Sequence, residues 1–439
     1  MGLTGNSLIA ILDLILVIVL VARRMDVRLV LLLGSLPLFA TAGGLSPMVV
    51  KVAYEMANPA TVVPICAAIG FAFVLRLTEC DQELVQLLMR PLRQARALLI
   101  PGGILAGYLI NTTIVSQTGT AAVLGPVLIP LLRAAGLGPI TAGAILLLGS
   151  SMGGELFNQG AVEIRKLAEL TGLSSSQVIG QSARLNLLSS ATALTAFWLL
   201  AARRERRHTG NQVPGHPPPA ESAGPEQQRV NVIKAFVPVL PILLLSLDAV
   251  IGPNPLTRSL VGPARILAAM LIGVVAAGLT SLERTGGLAS AFFEGAGYAY
   301  THVISLIVAA STFAEGIRLS GLIGLLIRAM IPWPAAALVV ATGSAWCLAF
   351  VSGTGIAPAV AIMEFFVPAA GSMGIDPAKL GALTAIGAHF GRTMSPAAAV
   401  VLISARLSDS QPSDLIRRVA VPLMIGGAVL LLAALSGFV

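Results

Sequence analysis

The sequence predicts an all-α polytopic membrane protein built from two inverted-topology repeats. Of its 439 residues, 56% are hydrophobic and only 11% are charged, whereas a water-soluble domain uses roughly 25% charged residues. Landmarks that recur at nearly constant spacing in the two halves indicate the repeats. We expect about ten transmembrane helices, two re-entrant hairpins and two discontinuous helices.

The formal charge of +8 does not indicate a nucleic-acid partner. Most arginines stand at the ends of apolar runs, as in cytoplasmic loops that anchor transmembrane segments. Cys66, Cys80 and Cys347 lie too far apart for a zinc or redox motif. The sequence therefore predicts a protein in the lipid bilayer with no metal and no cofactor.

Apolar runs long enough to span a membrane occur along the whole chain. Their approximate bounds are 7–22, 29–50, 59–77, 97–115, 118–132, 137–157, 184–202, 231–251, 263–281, 297–314, 332–351, 354–372, 378–404 and 417–438. Residues 203–230 are rich in Arg, Pro and Gly and cannot form a core. We expect them to be a cytoplasmic linker between a first repeat, 1–202, and a second repeat, 231–439.

Four landmarks relate the two halves. Ser116 and Ser352 are as far apart in the sequence as Glu79 and Glu315. Two further pairs, Arg90 with Arg328 and Gly149 with Gly387, share a spacing that is only slightly longer. Basic loops at 23–28, 90–96 and 203–207 are all cytoplasmic only if residues 97–133 form a re-entrant hairpin. The corresponding hairpin, 332–372, then enters from the other side, which inverts the second repeat.

Each predicted hairpin has a polar tip. The tip residues are Ser116, Gln117, Thr118, Gly119 and Thr120 in the first hairpin, and Ser352, Gly353, Thr354 and Gly355 in the second. Hydroxyls and free N–H groups at a helix N-terminus favour a carboxylate or phosphate, so the two tips could bind both ends of a small dianion. The alternative is that these small residues only let helices pack closely.

A second irregular stretch follows each tip, GSSMGGELFNQGA from Gly149 and GAHFGRTMSPAAA from Gly387. We expect glycines to loosen both helices and Pro396 to remove a hydrogen-bond donor from the second. The candidate substrate ligands here are Asn158, Gln159, Arg392, Thr393 and Ser395, and the candidates for a coupling ion or proton are Ser150, Glu155 and His389.

The charged residues in these stretches need partners, because an unpaired charge inside a membrane is costly. We expect Arg392 to bind a substrate carboxylate, with a structural salt bridge to Glu155 or Glu364 as the alternative. Glu155 is either a proton or cation site or a structural carboxylate. His389 is either a proton relay or a core histidine.

Two amphipathic stretches, 79–96 and 315–328, are predicted to be interfacial arms at the membrane surface. Each begins at a glutamate and ends at an arginine, and we expect a structural role for both.

The tip and helix-break motifs resemble the anaerobic C4-dicarboxylate carrier family of the DcuC type, within the ion transporter superfamily. The matching motifs are SQTGTAAVLGPVLIPLL, GSSMGGELFNQGA, SGTGIAPA and GIDPAKLGALTAIGAHFGRTMSPAAAVVLISA. The resemblance implies a homodimeric carrier of succinate, fumarate and malate in the bacterial cytoplasmic (inner) membrane. It also implies exchange, or symport with H⁺ or Na⁺, by an elevator-type movement of a transport part against a scaffold.

Sodium coupling is less well supported than transport. The related sodium–dicarboxylate symporters have Ser-Asn-Thr tips, whereas Gln117 and Gly353 stand at the central positions here. The alternatives are a cation/proton antiporter, a carrier of another small carboxylate and, remotely, an intramembrane hydrolase using Ser352 and His389. The positive charge of Arg392 argues against a cation/proton antiporter. The first tip has no histidine that matches His389, so we expect no enzyme activity.

Overall fold

The computed structural model describes residues 5–23, 25–91, 98–209, 230–251, 260, 262–322, 325 and 332–437. Within these ranges the regular elements are all helices, and no strand is present. The prediction of an all-α fold is therefore confirmed.

The first half of the described chain forms helices α1 to α10. Their bounds are Gly5–Ala22, Val27–Ala42, Ser46–Ala57, Pro59–Thr78, Cys80–Met89, Leu99–Thr113, Gln117–Ala134, Pro139–Ser151, Val162–Thr171 and Ser175–Thr209. A 3₁₀ turn, Gly154–Phe157, stands between α8 and α9. Because α10 continues to Thr209, the first residues of the predicted linker are helical, while 210–229 lie outside the described residues.

The second half forms helices α11 to α20. Their bounds are Val232–Phe236, Leu240–Ile251, Pro263–Thr280, Leu288–Ala299, Ser305–Leu319, Pro334–Ser352, Ile356–Phe366, Pro377–Thr393, Ala399–Leu407 and Pro412–Leu435. A π-helical turn, Tyr300–Ile304, connects α14 to α15. The chain thus leaves the helical conformation between α16 and α17 and between α18 and α19, where Gly and Pro interrupt the apolar sequence.

Eight helical segments of the described chain are long and apolar enough to span a membrane. They are Pro59–Thr78, Pro139–Thr171, Ser175–Arg204, Pro263–Thr280, Leu282–Leu319, Pro334–Ser352, Ile356–Met373 and Pro412–Leu435. Shorter apolar helices lie at Gly5–Val17, Val27–Ala42 and Val232–Leu245. The number of crossings, about ten, remains a prediction. The length and composition of these helices are those of a multi-span membrane protein.

The buried apolar side chains divide the molecule into two parts. The largest group comes from α5–α10 and α16–α20, which we call the hairpin bundle. Two smaller groups come mainly from α1, α2, α4 and α12–α15, which with α3 and α11 we call the outer helices. Burial of apolar area holds each part together internally, so the boundary between them is a natural place for a cavity.

The hairpin bundle contains one close helix contact twice. A Cβ atom on Gly149 of α8 would lie 2.9 Å from the carbonyl oxygen of Ile104 in α6, and one on Gly387 of α18 would lie 2.7 Å from that of Thr342 in α16. Ile104 and Thr342 have the same spacing in the sequence as the two glycines. Glycine is required at 149 and 387, because any side chain would push the paired helices apart.

The contacts between the two halves also correspond. Helix α7 packs against α19, and α17 packs against α9. The second helix of each hairpin therefore contacts the segment that follows the helix break in the other half.

The two predicted arms differ. Glu79 adopts a left-handed conformation, φ 61°, that ends α4, and α5 follows as a separate short helix. Glu315 does not start an arm, since α15 continues through it to Leu319 and Glu315 instead pairs with Arg318. Of residues 320–331, positions 323, 324 and 326–331 lie outside the described structure, and so does the predicted landmark Arg328.

Candidate binding site

A cavity of about 490 Å³ lies between the hairpin bundle and the outer helices. Both tips line it, the first through residues 116–119 and the second through residues 353–355. The helix breaks contribute Glu155 and Arg392, and the outer helices contribute Arg76, Tyr298 and His302. Two tips from different halves of the chain therefore face one charged cavity.

The first tip is shaped by Ser116 and by a residue that the motif analysis missed, Asn111. Ser116 has an extended backbone, and its Oγ accepts a 3.1 Å hydrogen bond from the N–H of Gly119, which caps α7. Asn111 is fully buried, and its Nδ2 donates to the carbonyl oxygen of Ile114 at 3.2 Å. Its Oδ1 accepts from the N–H of Glu155 at 3.1 Å, so Asn111 ties the tip to the first helix break.

The second tip depends on two glycines. Gly353 has a left-handed backbone, φ 72°, and a Cβ atom there would lie 2.8 Å from the carbonyl carbon of Ala397. A Cβ atom on Gly355 would lie 2.9 Å from Nη1 of Arg392. The guanidinium of Arg392 therefore sits directly against the backbone of the second tip.

Arg392 lies in the last turn of α18 and is only 4% exposed. Its Nη1 is 3.6 Å from Oε1 of Glu155, and its Nη2 donates to the carbonyl oxygen of Ser151 at 3.2 Å. Nε of Arg392 has no hydrogen-bond partner among the described residues. The alternative pairing with Glu364 is wrong, because Glu364 forms an ion pair with Lys166.

Glu155 and His389 belong to a buried cluster with Glu163, another residue that motif analysis missed. Nδ1 of His389 is 3.0 Å from Oε1 of Glu155, and its Nε2 is 3.5 Å from Oε1 of Glu163. The Nε2 of Gln117 in the first tip donates to the same oxygen of Glu155. One atom each of Glu155, Glu163 and His389 lies within 4.8 Å of the other two. The guanidinium of Arg392, 3.6 Å from Glu155, opposes a metal ion here.

The other predicted site residues take different positions. Thr118 and Gly119 face the cavity, as do Thr354 and Gly355. Three of them support the site from behind the cavity wall. Thr120 receives a hydrogen bond from Asn111, and Asn158 donates to the carbonyl oxygen of Thr112. The hydroxyl of Thr393 forms a hydrogen bond with the hydroxyl of Ser151. Those that are not in the cavity wall are Ser150, Gln159, Ser352 and Ser395.

Of the two residues missed, only Asn111 has a clear signal in the sequence. Asn111 is an amide within an apolar run, and Glu163 follows the first helix break by only a few residues. An amide in an apolar membrane segment marks a buried polar contact, whereas Glu163 stands among other charged residues of α9.

A multi-span helical fold with two polar tips at one charged cavity is the construction of a membrane transporter. Residues 47–436 match the family described as C4-dicarboxylate anaerobic carrier, DcuC. The chain belongs to this family, as the motifs predicted, and it is a transporter and not an enzyme.

Known proteins extend this similarity. The chain is 26% identical over 291 residues to an uncharacterized transporter of Haemophilus influenzae, an alignment that covers 63% of this chain and 99% of that protein. It is 27% identical over 210 residues to the anaerobic C4-dicarboxylate transporter DcuC of Escherichia coli K12, covering 46% of this chain and 43% of that one. The chain therefore spans less than half of the named carrier in this alignment.

The fold also matches a solved structure. The crystal structure of the Alcanivorax borkumensis YdaH transporter superposes with a TM-score of 0.61 and covers 99% of both chains. The sequence identity is 16%, so this similarity establishes a shared fold and nothing about substrate.

Proposed function

We propose that this protein carries small C4-dicarboxylate anions, such as succinate, fumarate and malate, across the bacterial cytoplasmic membrane. The observation that carries the proposal is the position of Arg392, whose guanidinium lies in the cavity wall against the second tip. A guanidinium binds carboxylate with two parallel hydrogen bonds, and partial desolvation strengthens the attraction. The family and the named relatives agree with an organic anion as substrate.

The two tips explain why a dianion fits better than a monoanion. Helices α7 and α17 begin at the first and second tip, and a helix N-terminus carries partial positive charge. Both tips face the same cavity, whose volume of about 490 Å³ accommodates a four-carbon diacid. Each carboxylate can then approach one tip, with Arg392 adding a full positive charge at the second.

The architecture we propose is that of two inverted repeats with re-entrant hairpins. The repeated glycine contacts at 149 and 387 and the reciprocal packing of α7 and α17 support it. The division into hairpin bundle and outer helices supports an elevator-type movement, in which the bundle carries the site past the outer helices. We expect a homodimer whose subunits meet through the outer helices.

Transport by exchange, or by symport with H⁺ or Na⁺, fits this arrangement. The cavity wall contains the cations Arg76 and Arg392 but also three carboxylates, Asp81, Glu155 and Glu163. Because a dianion adds two negative charges next to these carboxylates, a cation or proton entering with the substrate lowers the electrostatic cost. A cation/proton antiporter is the second candidate, favoured by the Glu155–His389–Glu163 cluster but opposed by Arg392.

Counterflow in proteoliposomes tests the proposal. Vesicles containing the purified protein are loaded with one unlabelled mono- or dicarboxylate from a panel, and uptake of labelled succinate or labelled lactate is measured. We expect trans-stimulation by four-carbon dicarboxylates and little by acetate or lactate. Counterflow of labelled lactate without counterflow of succinate would favour a carrier of another small carboxylate, and Na⁺/H⁺ exchange without carboxylate counterflow would favour the antiporter.

A further inference from the structure

We propose that Glu163, His389 and Glu155 form a proton relay that controls whether Arg392 is available to a substrate carboxylate. The inference rests on the proposed function, because it assumes that Arg392 binds the substrate. It assigns a role to Glu163 and identifies the coupling ion as a proton taken up inside the cavity wall.

The relay is defined by an imidazole between two carboxylates. His389 is fully buried, while Glu155 and Glu163 line the cavity on either side of its ring nitrogens. Nε2 of His389 and Oε1 of Glu163 lie 3.5 Å apart, and both are buried without a hydrogen bond in the described structure. Buried polar atoms without partners are uncommon, and a proton between these two atoms would satisfy both.

The state of Glu155 decides what Arg392 can bind. Ionised Glu155 attracts the guanidinium at 3.6 Å and also receives the amide N–H of Gln117 from the first tip. A substrate carboxylate needs these same two donors. Protonation of Glu155 removes its charge and releases Nη1 of Arg392 and the amide of Gln117 to an incoming anion, while Nη2 of Arg392 keeps its contact with His389.

His389 can deliver the proton without acquiring a charge. Its Nδ1 lies 3.0 Å from Oε1 of Glu155 and 3.0 Å from Nη2 of Arg392. A protonated Nδ1 can donate to Glu155, whereas an unprotonated Nδ1 can accept from Arg392, so one atom serves one partner at a time. When a proton passes from Glu163 to Nε2, Nδ1 passes its own proton to Glu155, and the imidazole remains neutral in its other tautomer.

The polar groups around the relay come from four elements. Helix α18 contributes His389 and Arg392, the 3₁₀ turn contributes Glu155, α9 contributes Glu163, and α7 contributes the neutral amide of Gln117. The next two charged residues of α9 are engaged elsewhere, since Arg165 donates to the carbonyl oxygen of Ala60 and Lys166 pairs with Glu364. With a neutral imidazole the cluster carries one net negative charge, which opposes a dianion until a proton enters.

Glu163→Gln tests the relay, because it keeps the shape of the side chain but cannot pass a proton. In proteoliposomes, uptake of labelled succinate driven by a pH gradient is compared with succinate counterflow in the same vesicles. We expect the ratio of gradient-driven uptake to counterflow to fall at least tenfold in Glu163→Gln and to be partly restored in Glu163→Asp. The matched control is Glu283→Gln, an exposed glutamate away from the cavity, which should leave the ratio unchanged.

The outcomes separate the relay from the proposed function. Absence of counterflow in the unmodified protein would refute the proposed function. The relay alone would be overturned if Glu163→Gln left the ratio of gradient-driven uptake to counterflow unchanged. This holds whether counterflow stays normal or both rates fall equally. Succinate affinity should weaken as the pH rises and should lose that dependence in Glu155→Gln, so this measurement decides the matter if Glu163→Gln does not fold.

Discussion

The Oε1 atom of Glu155 lies 3.6 Å from the Nη1 atom of Arg392, and both side chains are in the wall of the cavity that the two tips share. The two residues come from different halves of the chain. Their proximity makes Arg392 part of a buried charge pair and at the same time the cation nearest to the second tip. Each role leads to a measurable consequence.

Replacing Arg392 by Gln should weaken succinate binding by roughly 30-fold or more. Loss of one partner of a desolvated, hydrogen-bonded charge pair costs about 2–5 kcal/mol at measured interfaces, and Gln keeps polarity without charge. Binding to the purified protein by calorimetry or scintillation proximity measures the change. The control is Arg406→Gln, an exposed arginine in the same hairpin bundle.

The same replacement leaves Glu155 buried without its cation. This lowers the stability of the fold as well as the affinity for succinate. The double variant Arg392→Gln, Glu155→Gln removes both charges and should recover thermal stability without recovering succinate affinity. Normal succinate affinity in either variant would show that the anion site consists of helix N-termini and hydroxyls alone.

Replacing Gly353 by Ala should lower the unfolding free energy by about 1–3 kcal/mol and impair transport. The residue has φ 72°, where a side chain is strained, and the new Cβ would meet the backbone of Ala397. Thermal unfolding of the detergent-purified protein and succinate counterflow measure the two effects.

The matched control for Gly353 is Gly343→Ala within α16, the helix that Gly353 ends. A Cβ atom on Gly343 would meet nothing within 4 Å, and alanine favours a helix by up to about 1 kcal/mol over glycine. We expect this variant to be as stable as the unmodified protein or slightly more so. Equal stability of Gly353→Ala and Gly343→Ala would refute the requirement for glycine in the second tip.

Replacing Lys166 by Met should destabilise the fold by about 3–5 kcal/mol. Lys166 is almost fully buried and pairs with Glu364 of α17, while Glu55 of α3 lies 3.9 Å away and Glu169 of α9 lies 3.4 Å away. Removing the cation leaves Glu364 buried without an ion-pair partner, while Glu55 keeps its pair with Lys51. The cluster links the outer helices to the hairpin bundle, so the loss should appear as a lower unfolding temperature of the whole molecule.

A second substitution distinguishes charge from packing at Lys166. The double variant Lys166→Met, Glu364→Gln removes an opposite charge as well and should recover part of the lost stability. Lys379→Met, at a half-buried lysine outside this cluster, serves as the control. If the double variant loses more unfolding free energy than the two single variants lose together, charge compensation is not the main role of Lys166.

Stability should fall as the pH rises from about 4 to 6 because of Asp81, which lies in α5 outside the candidate membrane spans. Burial raises the pKa of Asp81 from 3.8 to about 6. The folded protein therefore binds this proton more tightly than the unfolded chain does, and the stabilisation present below pH 4 is lost as the pH passes the folded pKa. A pKa difference of this size corresponds to at most about 3 kcal/mol.

Asp81→Asn should therefore raise the unfolding temperature at pH 7 and change it little at pH 4. The control is Asp409→Asn, since Asp409 is exposed at φ 52° and asparagine tolerates that conformation equally well. Thermal unfolding at both pH values checks the sign. A stabilisation by Asp81→Asn that is the same at pH 4 and pH 7 would rule out the ionised carboxylate as its cause.

Local sequence determined the class of protein and the places where its helices stop. Hydropathy over about 20 residues identifies membrane helices, because the bilayer imposes their length and requires internal hydrogen bonding. Gly153 and Pro396 fall in the two helix breaks, and Ser116 before Gln117 marks a capped N-terminus. These signals involve neighbouring residues and can be seen without knowing the fold. The prediction that Gly149, Gly387 and Gly391 interrupt helices is wrong, because they lie within α8 and α18.

Only the tertiary structure decided which charged groups meet. The sequence left Arg392 with Glu155 or Glu364 as alternatives, and the packing of α17 on α9 assigns Glu364 to Lys166. It also brings Glu163 to His389, a contact between the two halves of the chain that has no local signature. The reason is physical: hydropathy constrains each helix separately, whereas a buried ion pair depends on the rotation and depth of two helices that only close packing sets.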